Sequence, residues 1–397
     1  MSERAASPRA AVAWGALAAA LLLFVNVAYV AASLGLVHKP RRVLETDHFR
    51  YIEMARQPFA EEPLARTAPF CWRVLTPWLA HGLTLTGLGL NPAFYLLTNI
   101  FLFAFLLTLF LYLRDLDHGL PLSLFGVALA GLVQGAVRWY EYQYWMTDPL
   151  CLFLVALAFR LIRRRSDAAL GLVSVAGVLT RESFVLVLPY YVLRRLRDSG
   201  WGVALGRALA VSGLAIGVLV LVRHLIVPAN DPETLRTIAR AVGFRLRHLL
   251  DNQLYLLSFG SFGVLFALIW LLPGRLFSWC RTRYDEAAFV ALAYLSLAMG
   301  NNTERLLAYA LPVVLPLALG QLETFSRQAR VPLLPLAGMC LGLQVLVWTE
   351  TRLLGEQGLS AYQPANALVA GVLALFWLTC RLRLATVAKR GTSGPAA

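Results

Sequence analysis

Charge is scarce in this sequence. Only 15% of its 397 residues are Asp, Glu, Lys or Arg, against about 25% in an ordinary soluble domain. Lysine is nearly missing: it stands at positions 39 and 389 alone, so arginine makes up almost all of the 36 basic residues. Cysteine is sparse as well. Cys71, Cys151, Cys280, Cys340 and Cys380 are scattered and form no C-x-x-C pair, which excludes a disulfide framework. The six histidines show no zinc-ligand spacing. Low-complexity stretches, linkers and clear internal repeats are lacking, and the composition excludes a disordered or collagen-like chain.

Apolar sequence is what the chain has in quantity. Hydrophobic residues make up 59% of it, and the mean hydropathy is +0.64. Stretches such as Ala11 to Val37 are long enough to cross a hydrocarbon core of ~30 Å. The expectation is an all-α, polytopic membrane protein, one integral domain over 1–397, with no soluble domain. Arginine with abundant Ala, Leu and Gly hints at a GC-rich bacterial genome. The net charge of +14 invites a nucleic-acid partner, but the basic residues lie in short clusters between apolar runs. That is the positive-inside pattern, and no nucleic acid is expected.

Twelve hydrophobic segments emerge, at 12–36, 93–113, 119–137, 149–163, 168–180, 183–194, 203–227, 253–273, 286–300, 304–321, 331–349 and 364–381. The first is too long for a signal peptide and is read as a retained span. Placing the N-terminus inside and alternating puts 20 basic and 8 acidic residues on the inner side, against 16 and 14 outside. The bias favours both termini in the cytoplasm. The segments 168–180 and 183–194 are short. One continuous helix there would separate Arg163–Arg165 from Arg194–Arg197, whereas two short helices meeting at Thr180-Arg181-Glu182 keep both clusters inside. Short helices leave a hollow, so a cavity opening outward is expected. The first outer segment, 37–92, is the largest. Phe49, Ile52 and Ala55 mark a short helix in it, and Cys71 to Leu90 reads as a juxtamembrane helix. Residues 231–250 read as an outer amphipathic helix opened by Asp231-Pro232.

Outer-side charges are mixed in sign and gather at helix mouths: Glu45, Asp47, His48, Arg73, Glu141, Asp148, Arg181, Glu182, Asn302, Glu304 and Arg305 stand there. Placing a charge inside a span costs roughly 2.5–3.5 kcal/mol, so such residues mark a functional site or a packed ion pair. The plain alternatives stay open. Asp148, before Pro149, is a cap by position, as are Asn302 and Thr303; Arg181-Glu182 fits a helix-break ion pair. Trp139, Tyr140, Tyr142, Tyr144 and Trp145 fit an interfacial belt or a stacking platform for a sugar or lipid.

This arrangement resembles the glycosyltransferase C superfamily, polytopic enzymes that use polyprenyl-phosphate-linked sugars. Glu45-Thr46-Asp47 fits the family's E-x-D motif shortly after the first span, and DHFRYIEMARQP, with Asp47, Tyr51 and Ala55, resembles the D-x-x-x-Y-x-x-x-A run. Arg73-Val74-Leu75-Thr76-Pro77 resembles R-x-L-x-P; Thr147-Asp148-Pro149 matches a second acidic position. Thr180-Arg181-Glu182 matches a basic tip between short helices, and NTERLLAYALP over 302–312 resembles a late R-x-x-x-Y-x-x-P segment. The chain resembles the compact, all-membrane members.

The resemblance implies transfer of a sugar from a polyprenyl-phosphate donor to a lipid, glycan or protein acceptor, with inversion, at the outer face of a bacterial inner membrane. A carboxylate must take the acceptor proton, a role falling to Asp47 with Glu45 in support. Arginine suits the leaving phosphate, so Arg305, Arg181 and Arg73 are candidates, with His48 beside them. Asp148, Glu141, Glu182, Asn302, Glu304, Tyr51 and Trp145 are expected to contact sugar or to orient the arginines. No cofactor is expected. Two carboxylates at i and i+2 suit Mg²⁺ or Mn²⁺, but the nearby arginines argue against a metal. The alternatives from other classes are a transporter or flippase of a lipid-linked or anionic substrate and a polysaccharide polymerase or ligase. The lack of a repeat and the gathering of polar residues at one face argue against the transporter.

Overall fold

The computed structural model of the chain describes residues 7–35, 37, 47–58, 64–230, 239–240, 242–243, 246–247, 253–299, 302–354 and 359–392. All regular structure among them is helical. Helix is what an apolar chain must form in lipid, because backbone polar groups there find partners only within the chain. In order, α1 is Pro8–Leu34, α2 Asp47–Arg56, α3 Leu75–Thr84, α4 Leu90–Asp115 and α5 Leu120–Gly131. Then come α6, Arg138–Tyr142; α7, Asp148–Arg163; α8, Asp167–Thr180; α9, Val187–Ser199; and α10, Trp201–Leu225. The later helices are Val264–Ile269, Pro273–Thr282, Tyr284–Leu295, Thr303–Leu307, Leu311–Ala329, Leu333–Leu354 and Leu359–Thr392.

Five helical stretches among the described residues are long and apolar enough to cross a membrane: Pro8–Ala32, Leu90–Asp115, Trp201–Leu225, Thr303–Ala329 and Asn366–Ala388. Leu120–Gly131, Asp167–Thr180 and Leu333–Thr349 are apolar but shorter. The twelve hydrophobic segments therefore do not become twelve long helices. Segment 119–137 stops being helical at Gly131, and 253–273 divides into a π-helical turn, Leu256–Gly260, and the short helix Val264–Ile269. Distant polar side chains stabilise these breaks. Gln344 accepts from the Val264 N–H at 2.9 Å and donates to the Leu132 carbonyl at 3.1 Å. Gly263 has φ +57° and lies so close to Gln344 that a Cβ would fall 2.1 Å from its Oε1, so only glycine fits. Asn26 of α1 donates to the Gly131 carbonyl at 3.1 Å, and its Oδ1 accepts from Trp348 Nε1 at 3.1 Å.

The centre of the bundle is formed by α4, α7 and the helix Leu311–Ala329, with α1, α5 and α8 against them. Of the most apolar stretch of Thr303–Ala329, 78% is buried, against 17% for α10, which lies at the periphery on α8 and α9. Residues 167–199 form a helical hairpin, as the charge argument required. Its tip is the 3₁₀ turn Glu182–Leu186, where Phe184 packs so tightly on Gly177 that a Cβ there would meet the ring at 2.2 Å. The two open ends of the hairpin are tied by an Arg195–Asp167 ion pair.

Arginine–aspartate pairs gather at the hairpin's open end. Asp115 at the end of α4 takes Arg160 of α7 and Arg164, which caps that helix, each at 2.8 Å. Asp285, at the start of Tyr284–Leu295, takes Arg197 and, at 3.5 Å, Arg194 of α9. All these residues were assigned to one side of the membrane from charge alone, and the structure brings them to one end of the bundle. The hairpin tip, Asp148 and Arg305 lie at the other.

Candidate functional site

Three helix starts and one turn converge at the tip end. The site begins with α2, whose residues Tyr51, Ile52, Met54 and Ala55 are buried while Asp47 opens the helix. Asp47 and Tyr51 stand four residues apart, on one face. Tyr51 receives a hydrogen bond on its hydroxyl from Arg73 Nη1 at 2.8 Å. Arg73 follows the 3₁₀ turn Phe70–Trp72 and grips Glu182 with two nitrogens, at 2.8 and 3.2 Å. That fork geometry is the strong mode of arginine–carboxylate pairing.

Asp148 is the hub. It is fully buried and accepts from Arg181 Nη1 at 2.5 Å, Arg305 Nη2 at 2.7 Å and the Tyr309 hydroxyl at 3.0 Å. Helix capping was the plain alternative for Asp148. Its carboxylate instead spans the α7 start, the hairpin tip and the late helix pair, and Thr147 at the cap position makes no capping bond. Asn302 does cap: its Oδ1 accepts from the Arg305 N–H at 3.2 Å, which fixes the turn from which Arg305 reaches Asp148. The other nitrogen of Arg305 looks elsewhere. Its Nη1 is 4.0 Å from Asp47 Oδ2, so one guanidinium faces two carboxylates. Asp47 is held loosely, with Arg50 at 3.5 Å, and its side chain is 31% exposed.

Backbone proximity sets this geometry. The turn between α5 and α6 passes so near Thr303–Leu307 that a Cβ on Gly135 would fall 2.3 Å from the Glu304 carbonyl oxygen. A side chain at position 135 therefore pushes Arg305 away from Asp148. Three buried arginines, Arg73, Arg181 and Arg305, face one buried carboxylate, Asp148, and two partly exposed ones, Glu182 at the hairpin tip and Asp47 at the rim. The Arg181 Nε is buried with no hydrogen-bond partner. A buried excess of cation is costly unless an anion completes it.

The structure thus brings together Asp47, Tyr51, Arg73, Asp148, Arg181, Glu182 and Arg305. Tyr51 serves Arg73, and Asn302 serves Arg305. Glu304 contributes its peptide to the contact with Gly135. His48 is buried and lies 5.3 Å from the Trp145 ring; burial holds its imidazole below the usual range, and Asp47 only partly offsets this. Trp145 is anchored by its Nε1 on Asn91 at 2.9 Å. Glu141 stands apart. It is buried, its Oε1 has no hydrogen-bond partner, and burial pushes its carboxyl up to about 8. Glu45 lies outside the described residues, as does most of the amphipathic segment 231–250. Among the described residues no three His, Cys, Asp or Glu side chains gather as a metal site.

Two tyrosines named in the sequence only as members of a run, Tyr140 of the aromatic cluster and Tyr309 of the 302–312 segment, stand at the site. Tyr309 bonds Asp148, and Tyr140 is fully buried with its hydroxyl lacking a hydrogen-bond partner. The signal for Tyr309 was present, since it follows Arg305 by four residues and so shares its helix face. Tyr140 sits in an aromatic run that reads equally as a membrane-interface belt. Comparison with family models, with curated proteins and with solved structures finds no match to this chain.

Proposed function

We propose that the chain is a membrane glycosyltransferase that moves a sugar from a polyprenyl phosphate to a hydroxyl acceptor at the outer face of a bacterial inner membrane. One observation carries this reading. Arg305 stands between a fully committed buried carboxylate, Asp148, and a loosely held rim carboxylate, Asp47. Transfer to a hydroxyl needs both a base and a cation for the departing phosphate, and these two residues supply them side by side. The motifs that resemble glycosyltransferase C enzymes point the same way.

In this reading Asp47 takes the acceptor proton as the new glycosidic bond forms. It is free to do so, because neither of its ion-pair contacts is closer than 3.5 Å. Arg305 stabilises charge developing on the phosphate oxygens as the sugar–phosphate bond breaks. Asp148 aims Arg305 and Arg181, and Glu182 with Tyr51 aims Arg73. With its imidazole held neutral, His48 serves as a hydrogen-bonding group rather than a cation. Glu45 supports Asp47.

The test uses the purified full chain in nanodiscs with a panel of polyprenyl-phosphate sugars and hydroxyl acceptors. Release of free polyprenyl phosphate is followed by mass spectrometry in wild type and Asp47→Asn. Acceptor-dependent release by wild type that the variant loses is the expected result. Equal release by both proteins removes Asp47 as the base. Donor movement across the bilayer without sugar transfer establishes the flippase instead.

A further inference from the structure

A cavity of about 250 Å³ lies beside the candidate site, where residues 65–78 meet the end of α10. Met54, Cys71 and Val74 form its buried wall, and Trp78, Leu225 and Ile226 its outer one. Four contacts hold the two segments together. Trp72 Nε1 donates to the Ile226 carbonyl at 3.1 Å, the Ala229 N–H to the Arg66 carbonyl at 2.8 Å, and the Ala68 N–H to Asn230 Oδ1 at 2.6 Å. The fourth is the Arg223 guanidinium, 4.7 Å above the Trp72 ring.

Two features of this place point to a ligand. Leu225 is 69% exposed and Trp78 37%, at the terminus of a candidate membrane span, so the cavity faces the apolar surroundings rather than the ion-pair cluster. Arg223 supplies the second feature. It is exposed, and no carboxylate lies within ion-pair distance of it among the described residues. Trp72, on whose ring it stacks, follows Cys71 of the cavity wall. A cavity with an apolar wall, Arg66 and Gln57 in its lining, and the exposed Arg223 on the adjoining Trp72 ring matches a molecule with an alkyl chain and an anionic head.

We infer that this cavity binds an anionic phospholipid of the surrounding membrane, with one acyl chain against Met54, Cys71 and Val74 and the headgroup phosphate on Arg223. The guanidinium fork matches phosphate oxygens, and the Trp72 ring fixes its position. Basic residues at a membrane surface attract anionic lipid in this way. The inference stands apart from the transferase reading, since none of these residues belongs to the ion-pair cluster. Because residues 71–74 separate the cavity from Glu182 and Tyr51, an occupied cavity would also brace Arg73 from behind.

The test is native mass spectrometry of the full chain, with dioleoylphosphatidylglycerol and dioleoylphosphatidylcholine supplied in competition. Wild type should retain phosphatidylglycerol in preference. Arg223→Gln should weaken that retention about fivefold, the attraction of one basic residue at a membrane surface. Val74→Trp, which fills the cavity, should abolish it. Equal retention of the two lipids, or retention unaffected by both variants, overturns the inference. Should Val74→Trp fail to fold, Leu225→Asp, which sets a carboxylate at the exposed edge of the cavity, takes its place. It should abolish the preference for phosphatidylglycerol, and an unchanged preference overturns the site. Displacement of phosphatidylglycerol by an equimolar isoprenyl phosphate overturns it in favour of a donor-lipid site.

Discussion

At the open end of the hairpin, carboxylates are closed by more than one arginine each, and Arg194 is itself shared among Asp198, Asp285 and Glu286. Asp115, Asp167 and Asp285 each take two arginines from neighbouring helix ends, and none of those arginines reaches toward the candidate site. At the tip end the same residue types are arranged differently. Arg305 is shared between Asp148 and Asp47, and Asp47 is left weakly held at the rim. The first arrangement ties helix ends together; the second leaves a charge available. What separates a staple from a site here is therefore how completely each carboxylate is matched, not how many ion pairs are present.

Four substitutions sharpen or break that contrast. Asp148→Asn has the largest expected effect. It leaves Arg181 and Arg305 buried without their counter-charge, a loss of about 3–5 kcal/mol when one partner of a buried pair is removed. Thermal unfolding in detergent should show it as a large fall in Tm, together with loss of any transfer activity. Asp47→Asn should separate the two properties: activity falls roughly 100–1,000-fold, while Tm barely moves because the residue is at the rim. A large fall in Tm for Asp47→Asn would make it a staple like the others and end the distinction.

Asp115→Asn is the converse probe. Arg164 in that pair is 53% exposed, so the expected loss is about 0.5–1 kcal/mol with unchanged activity. Activity lost to the same degree as in Asp148→Asn would show that the two ends are not functionally distinct. The pH dependence concerns Glu141. Its folded carboxyl is raised to about 8 by burial, above the ordinary carboxylate range. A raised carboxyl contributes stability that is complete below its unfolded value and lost as pH climbs through the folded one. Wild type should therefore lose Tm between about pH 5 and pH 9, and Glu141→Gln should flatten that loss. Parallel profiles for the two proteins would place another group behind the decline.

Much of this arrangement was legible in the sequence because membranes sort charge so strongly. Alternation of arginine clusters places Asp148, Arg181, Glu182 and Arg305 at one face and the Asp115 and Asp285 clusters at the other, and it favours two short helices over a single one at 168–194. The short helix α2 follows from Phe49, Ile52 and Ala55, whereas the helix expected over Cys71 to Leu90 is only Leu75–Thr84, preceded by the 3₁₀ turn Phe70–Trp72. Helix continuity was not legible. The breaks after Gly131 and at Gly263 depend on Asn26 and Gln344, which lie 105 residues from Gly131 and 80 from Val264, and no local pattern announces such partners. Tyr140 is equally hidden, since an aromatic run reads as an interfacial belt whereas Tyr140, Tyr144 and Trp145 are buried.

Gln344 has one more consequence. A single amide group closes both the gap at Leu132 and the gap at Val264, so the two discontinuities are not independent. Loosening either one withdraws a partner from the other. The turn after Leu132 carries Gly135, which gauges the distance to Glu304 and hence to Arg305. A side chain on a helix with no charge in the site thus sits at the head of a lever: replacing Gln344 with Leu, which alters no charge anywhere, is expected to reset the spacing between Arg305 and Asp148.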